Sequence, residues 1–202
     1  MTTESATAPK PSSIRTVQRK KRPSLPTSLE GFLRWQQPEN GYKYEWNNGT
    51  IEKSTKMITP HQLYLVDNLS VLLDKSNPLA GGRLVCEVLN RTTSTQIRVP
   101  DIAYYSASQI SQAAKDKNYM PVTAFALEII SDHDKINKVY GKLEEYFKAG
   151  VQVVWMIFPE FQKVHVFHSP EDVKICKGKT LCSAEPVIPG FILSAGELFR
   201  KD

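Results

Sequence analysis

Apolar and polar positions change character along this chain near residue 28. Ser, Thr, Pro and Lys/Arg dominate residues 1–27, where large apolar side chains are few, so this segment is expected to be a disordered tail. Patterned segments begin at Ser28, which stands as an N-cap before a short helix with Leu29, Phe32, Leu33 and Trp35 on one side. "YEWNNGTIEKS" predicts a hairpin turning at Asn48-Gly49. A second helix follows "TP", with Leu65, Leu69, Leu72 and Leu73 near helical spacing. "GGRLVCEVLNRT", "TQIRVPDIAYY" and "VTAFALEIIS" are strand candidates, and from Asp134 to Ala149 the period is helical with Gly150 as the stop. "VQVVWMIFP" and "KVHVFHS" predict two further strands, and "PVIPGFILSAGELF" a strand or loop entering a short helix.

Helix, three strands, helix and two strands behind a front hairpin make a mixed α/β fold. It is too irregular for a doubly wound nucleotide fold. Residues 28–202 are long enough for one domain with its own core. "AGGRL" has neither P-loop nor dinucleotide-loop spacing.

Charge narrows the picture. The net +5 lies in the tail, where Lys10, Arg15, Arg19, Lys20, Lys21 and Arg22 face only Glu4; the remaining 20 basic and 20 acidic residues cancel. "QRKKRPSLP" reads first as a solubilising tail and second as a nucleic-acid arm, while the folded part has no general basic excess. Cys86, Cys176 and Cys182 form no C-x-x-C pair, which with no apolar leader or membrane-length run points to a reducing, cytoplasmic setting.

The informative residues are polar ones in apolar surroundings. Asp101 follows Pro100 and leads into Ile102-Ala103-Tyr104-Tyr105, and Glu128 interrupts "ALEIIS". Strand alternation puts Glu128 on the face of Ala126 and Ile130, opposite Leu127 and Ile129. If the two strands are neighbours, both carboxylates converge, and small Ala126 leaves room beside them. Such a pair suits a hard divalent cation. Taken singly, Asp101 reads as a turn carboxylate and Glu128 as half of a buried ion pair. On the following helix Ile136, Val139, Tyr140, Leu143 and Phe147 form an apolar stripe, with Lys142 at its edge and Lys138 one turn earlier. Lys142 can lay its methylenes on the core and send its ammonium toward the carboxylates, or simply reach solvent. His165 and His168, three apart in a strand, point to opposite faces and are poor candidates for one metal; His133 in "SDHDK" reads as a solvated loop residue.

"RVPDIAYY" with Asp101, "LEIIS" with Glu128 and "KLEEYFKAGVQVVWMIFP" with Lys142 resemble the bacterial Uma-two family, a restriction-endonuclease group of the PD-(D/E)xK nuclease superfamily. The resemblance covers roughly residues 29–195. It implies a restriction-endonuclease-like core with a central mixed sheet flanked by helices and a metal site at its middle. The superfamily's lysine usually sits two residues after the Glu, where this chain has Ile130; in Uma-two sequences the next helix supplies it, at the place of Lys142. Glu45 in "YEWNNG" and His61 in "TPHQ" match the family's hairpin and first-helix start, and both are expected to line the site. Thr50, Lys138 and Phe158 stand where the family often carries acidic residues, which leaves room for altered activity.

The implied chemistry is hydrolysis of DNA phosphodiesters. Asp101, Glu128 and the Ile129 carbonyl would hold Mg²⁺ or Mn²⁺, and Lys142 would orient the attacking water. The competing class is a non-catalytic member that binds nucleic acid or protein with the same fold. By analogy with enzymes that cut both strands, a homodimer is expected.

Overall fold

A computed structural model of the chain describes residues 25–55, 62–76 and 82–201. The expected tail is covered only from Leu25, and His61 lies outside the described residues. Helix α1 (Leu29–Arg34) is capped by Ser28, whose Oγ accepts from the Gly31 N–H at 3.1 Å. The hairpin forms as predicted. Strand β1 (Tyr42–Asn47) pairs antiparallel with β2 (Thr50–Thr55), and Asn48 and Gly49 take φ of 47° and 92°, as a two-residue primed turn requires.

The next two strand candidates are each divided. "GGRLVCEVLNRT" holds β3 (Arg83–Cys86) and β4 (Asn90–Thr93), and "TQIRVPDIAYY" holds β5 (Gln96–Arg98) and β6 (Ile102–Tyr105). Two backbone features cause this. Pro100 has no N–H for a ladder, and Glu87 adopts φ 52°. The Glu87 N–H donates to the Asp101 carbonyl at 3.2 Å, tying the two crossings together. As a result β4 and β5 join the hairpin in a four-stranded sheet ordered β2-β1-β5-β4.

The halves β3 and β6 join a larger sheet with β7 (Phe125–Ile129), β8 (Val153–Phe158), β9 (Lys163–Phe167) and β10 (Val173–Lys177), ordered β10-β9-β8-β7-β6-β3. Only the β7–β8 pair in it is parallel among the described strands, joined by helix α4 (Ile136–Lys148). Gly150, at φ 97°, ends that helix as expected.

Phe125, Leu127 and Ile129 enter a core shared with helix α2 (Leu63–Ser76) and the C-terminal pair β11 (Leu181–Ser183) and β12 (Ile192–Ser194) with helix α5 (Ala195–Leu198). Ala126 faces the other way, onto Leu143 and Tyr146 of α4. Alternation therefore puts Glu128 under α4, on the face expected from its sequence.

Two expectations need correction. The α4 stripe is rotated: Leu143 and Tyr146 are buried, whereas Ile136 and Tyr140 are 60% and 44% exposed. The helix sits over small Ala126 and a polar cluster, and the Tyr146 hydroxyl finds its partner there. Helix α3 (Ala107–Lys115) was not anticipated, because it buries no residue and its one large apolar side chain is Ile110; a Ser106/Gln109 capping box starts it.

Trp155 in β8 is fully buried, packs on Phe125 and Phe191 at 5.1 and 6.0 Å between ring centres, and donates to the Ser183 carbonyl. Trp155→Ala should lower stability by about 3–5 kcal/mol. A urea midpoint that drops with unchanged slope checks this.

Candidate active site

The site forms where the two sheets meet under α4, and the broken strand β5–β6 builds its floor. Past the Ile102–Leu127 pair the β6–β7 ladder ends, and the Ile129 N–H donates instead to Asp101 Oδ2 at 2.7 Å. The Val99 peptide, also left without a ladder, is satisfied by two residues on one face of β1. Its N–H donates to Glu45 Oε1 at 2.6 Å and its carbonyl accepts from Lys43 Nζ at 3.0 Å. Breaking the strand thus frees backbone groups that Lys43 and Glu45 satisfy, and both side chains are drawn inside, at 5% exposure.

Asp101 and Glu128 come together around one cation. Lys43 Nζ pairs with Asp101 Oδ1 and lies 3.6 Å from Glu128 Oε2. Glu128 Oε1 accepts from the Tyr146 hydroxyl at 2.5 Å and pairs with Lys142 Nζ at 2.8 Å. Lys142 also lies 3.0 Å from Glu45 Oε1. Arg98 of β5, 3% exposed, forms the outer layer, reaching Glu45 at 3.2 Å, Glu52 at 2.8 Å and Glu145 of α4 at 2.5 Å. A cleft of about 330 Å³ opens over the group, lined also by Lys53, His133, Lys135 and Lys138.

Four of the residues singled out in the sequence, Glu45, Asp101, Glu128 and Lys142, therefore share one cluster. Ile129 contributes its N–H to Asp101, and His61 lies outside the described residues. His165 sits apart, 4.5 Å from the Phe158 ring. Lys43, Arg98 and Tyr146 were not anticipated as site residues. A signal for the first two existed: Lys43 and Glu45 alternate with Tyr44 and Trp46, and Gln96 and Arg98 alternate with Ile97. In a strand with one buried apolar face, two charges on the other face read as solvated. Here that face meets α4.

Burial and pairing separate the two central carboxylates. Burial pushes Asp101 up to about 6, with Lys43 pulling it down. Burial also raises Glu128, but Lys142 and then Lys43 outweigh it and hold the group near about 2. Tyr146 is raised well above its ordinary value by burial and by Glu128, so it stays a hydrogen-bond donor. Of the pair, Asp101 takes the proton first as pH falls.

The signs of the stability contributions are opposite. The folded state binds the Asp101 proton more tightly than the unfolded chain does, so this group adds stability as pH falls from about 6 toward 3.8. The contribution of Glu128 is complete above 4.5 and is lost as pH falls toward about 2. Carboxyl-carbon NMR of the protein in chelator should show Asp101 titrating near 6 with Glu128 still charged. A midpoint for Asp101 at or below about 4, the ordinary value, would contradict this.

With this geometry in place, comparisons with known proteins locate the chain. No curated protein matches it. A solved structure described as "a putative nuclease belonging to DUF820 from Anabaena variabilis" superposes with a TM-score of 0.68 at 23% identity. The match covers 86% of this chain and 98% of that one, so the two share a fold. Among the described residues no helix is long and apolar enough to cross a membrane. The model of the family Uma2, described as "Putative restriction endonuclease", matches residues 29–196, and the chain belongs to that family.

Proposed function

We propose that the protein is a divalent-metal-dependent nuclease that hydrolyses DNA phosphodiesters in the cleft over Asp101 and Glu128. The observation that carries this is the convergence of Asp101 Oδ1, Glu128 Oε2 and the Val99 carbonyl on a single cationic atom, Lys43 Nζ. Two carboxylates and a carbonyl are the donor set of a hard cation, and an ammonium stands in for it. The wider cluster agrees: Glu45, Glu52, Asp101, Glu128 and Glu145 outnumber Lys43, Arg98 and Lys142 by two charges. Asp101 and Glu128 would hold Mg²⁺ or Mn²⁺, with the Ile129 carbonyl as a further ligand.

When bound, the metal supplies a Lewis acid for the phosphoryl oxygen and lowers the pKa of a coordinated water. The protein's own groups do the rest. Lys142, anchored by Glu128 and Glu45, presents its ammonium to the cleft, where it orients the water and stabilises charge developing at phosphorus. Tyr146 fixes the Glu128 carboxylate through Oε1, leaving Oε2 for the cation. Arg98 locks the hairpin sheet to α4 and so sets the distance between Glu45 and Lys142. Lys53, Lys135 and Lys138 on the cleft wall suit a phosphate backbone, and their contacts predict binding that weakens with salt.

A second reading, a non-catalytic member that binds nucleic acid or protein, is favoured by one observation: both central carboxylates already pair with lysines. Incubating supercoiled plasmid with the protein in Mg²⁺, in Mn²⁺ and in EDTA, beside Glu128→Gln, separates the two. Metal-dependent nicking that disappears in Glu128→Gln supports the nuclease. Equal nicking by both proteins marks contamination and removes the catalytic reading, and DNA binding without cleavage by either supports the second.

A further inference from the structure

Lys43 is the least expected member of the cluster. It comes from the front hairpin and is 5% exposed, and its ammonium touches both central carboxylates and the Val99 carbonyl. Lys142 sits differently: it reaches Glu128 through Oε1 and is held on its far side by Glu45, without contact to Asp101. Without Lys43 the site would hold Asp101 and Glu128 as buried like charges, which would drive them apart or protonate one of them.

We infer that Lys43 is a tethered placeholder cation, which keeps Asp101 and Glu128 together until a divalent cation takes the same three oxygens and turns Lys43 out into the cleft. This rests on the reading of Asp101 and Glu128 as cation ligands. Space requires the exchange. The Lys43 ammonium already occupies the point on which Asp101 Oδ1, Glu128 Oε2 and the Val99 carbonyl converge, so a second cation at those oxygens would lie against it. Releasing Lys43 vacates the contact point and removes a repelling charge from beside the cation. The side chain lines the cleft, which gives its head a route to solvent. Metal affinity is thereby set by competition with an internal charge, and the empty site stays preorganised.

Mn²⁺ binding followed by electron paramagnetic resonance, on wild type, Lys43→Met, Lys43→Arg and Glu128→Gln, tests the exchange. Lys43→Met is expected to bind Mn²⁺ roughly tenfold or more tightly than wild type, because a repelling charge at contact distance is gone. Lys43→Arg should stay at or below wild-type affinity, and Glu128→Gln should lose the site. Should Lys43→Met not fold, wild type suffices: the ¹⁵N signal of the buried Lys43 ammonium is expected to be protected in chelator and to vanish or move on saturation with Mg²⁺. If Mn²⁺ binding depends on Glu128 but is unchanged or weaker in Lys43→Met, or the Lys43 signal does not respond to Mg²⁺, the placeholder role is wrong while the metal site stands. Absence of binding in both wild type and Lys43→Met, or binding that survives Glu128→Gln, overturns both.

Discussion

Lys142→Ala is expected to lower the rate of plasmid nicking by about 10²- to 10³-fold, the range seen when a single group aimed at developing charge is removed. Its Mn²⁺ affinity should be equal to wild type or higher. The two readouts separate because Lys142 touches Glu128 through Oε1, while the cation-facing Oε2 is left alone. The fold should survive: Lys142 has a side chain 16% exposed, and without it Glu128 keeps Tyr146 and Lys43. Lys142→Arg would restore charge but not geometry, since a planar guanidinium does not replace a compact ammonium between Glu45 and Glu128. Nicking that is undiminished in Lys142→Ala would remove the lysine from the chemistry and leave it as a counter-ion.

Arg98→Ala should lower stability by about 3–5 kcal/mol, because it removes one partner from a buried charge network. Arg98 joins Glu45, Glu52 and Glu145, three acids from β1, β2 and α4. Its loss leaves Glu45, whose side chain is 7% exposed, with Lys142 as its remaining ion pair among the described residues. Glu145→Gln, on a carboxylate 27% exposed, should cost far less. Urea unfolding of the three proteins decides this; equal midpoints for Arg98→Ala and Glu145→Gln would mean that the guanidinium does not lock the sheet to the helix.

How much of this was legible in the sequence follows from what each signal depends on. Local signals were readable: the Asn48-Gly49 turn, the Ser28 cap, the Gly150 stop and the alternation that put Glu128 opposite Leu127. Signals that depend on tertiary pairing were not. Nothing in "TQIRVPDIAYY" says that Arg98 and Ile102 belong to different sheets, although Pro100 marks the place where a ladder must fail. Lys43 and Arg98 were missed because their burial depends on partners distant in the chain, Asp101 and Glu128 for Lys43 and Glu145 of α4 for Arg98. Helix α3 escaped because its apolar side is built of alanines around Ile110 and buries no residue, which leaves the capping box as its main signature. The three ordered residues Asp101, Glu128 and Lys142 were visible as oddities of polarity, whereas the cation that gathers two of them comes from the hairpin.

The measurement closest to the central claim is a crystal of the wild-type protein soaked in Mn²⁺, with anomalous difference density collected at the manganese edge. The account predicts one strong peak between Asp101 and Glu128, within contact of a main-chain carbonyl, and Lys43 turned away from it. A peak that avoids both carboxylates, or none at a concentration that supports nicking, would contradict it.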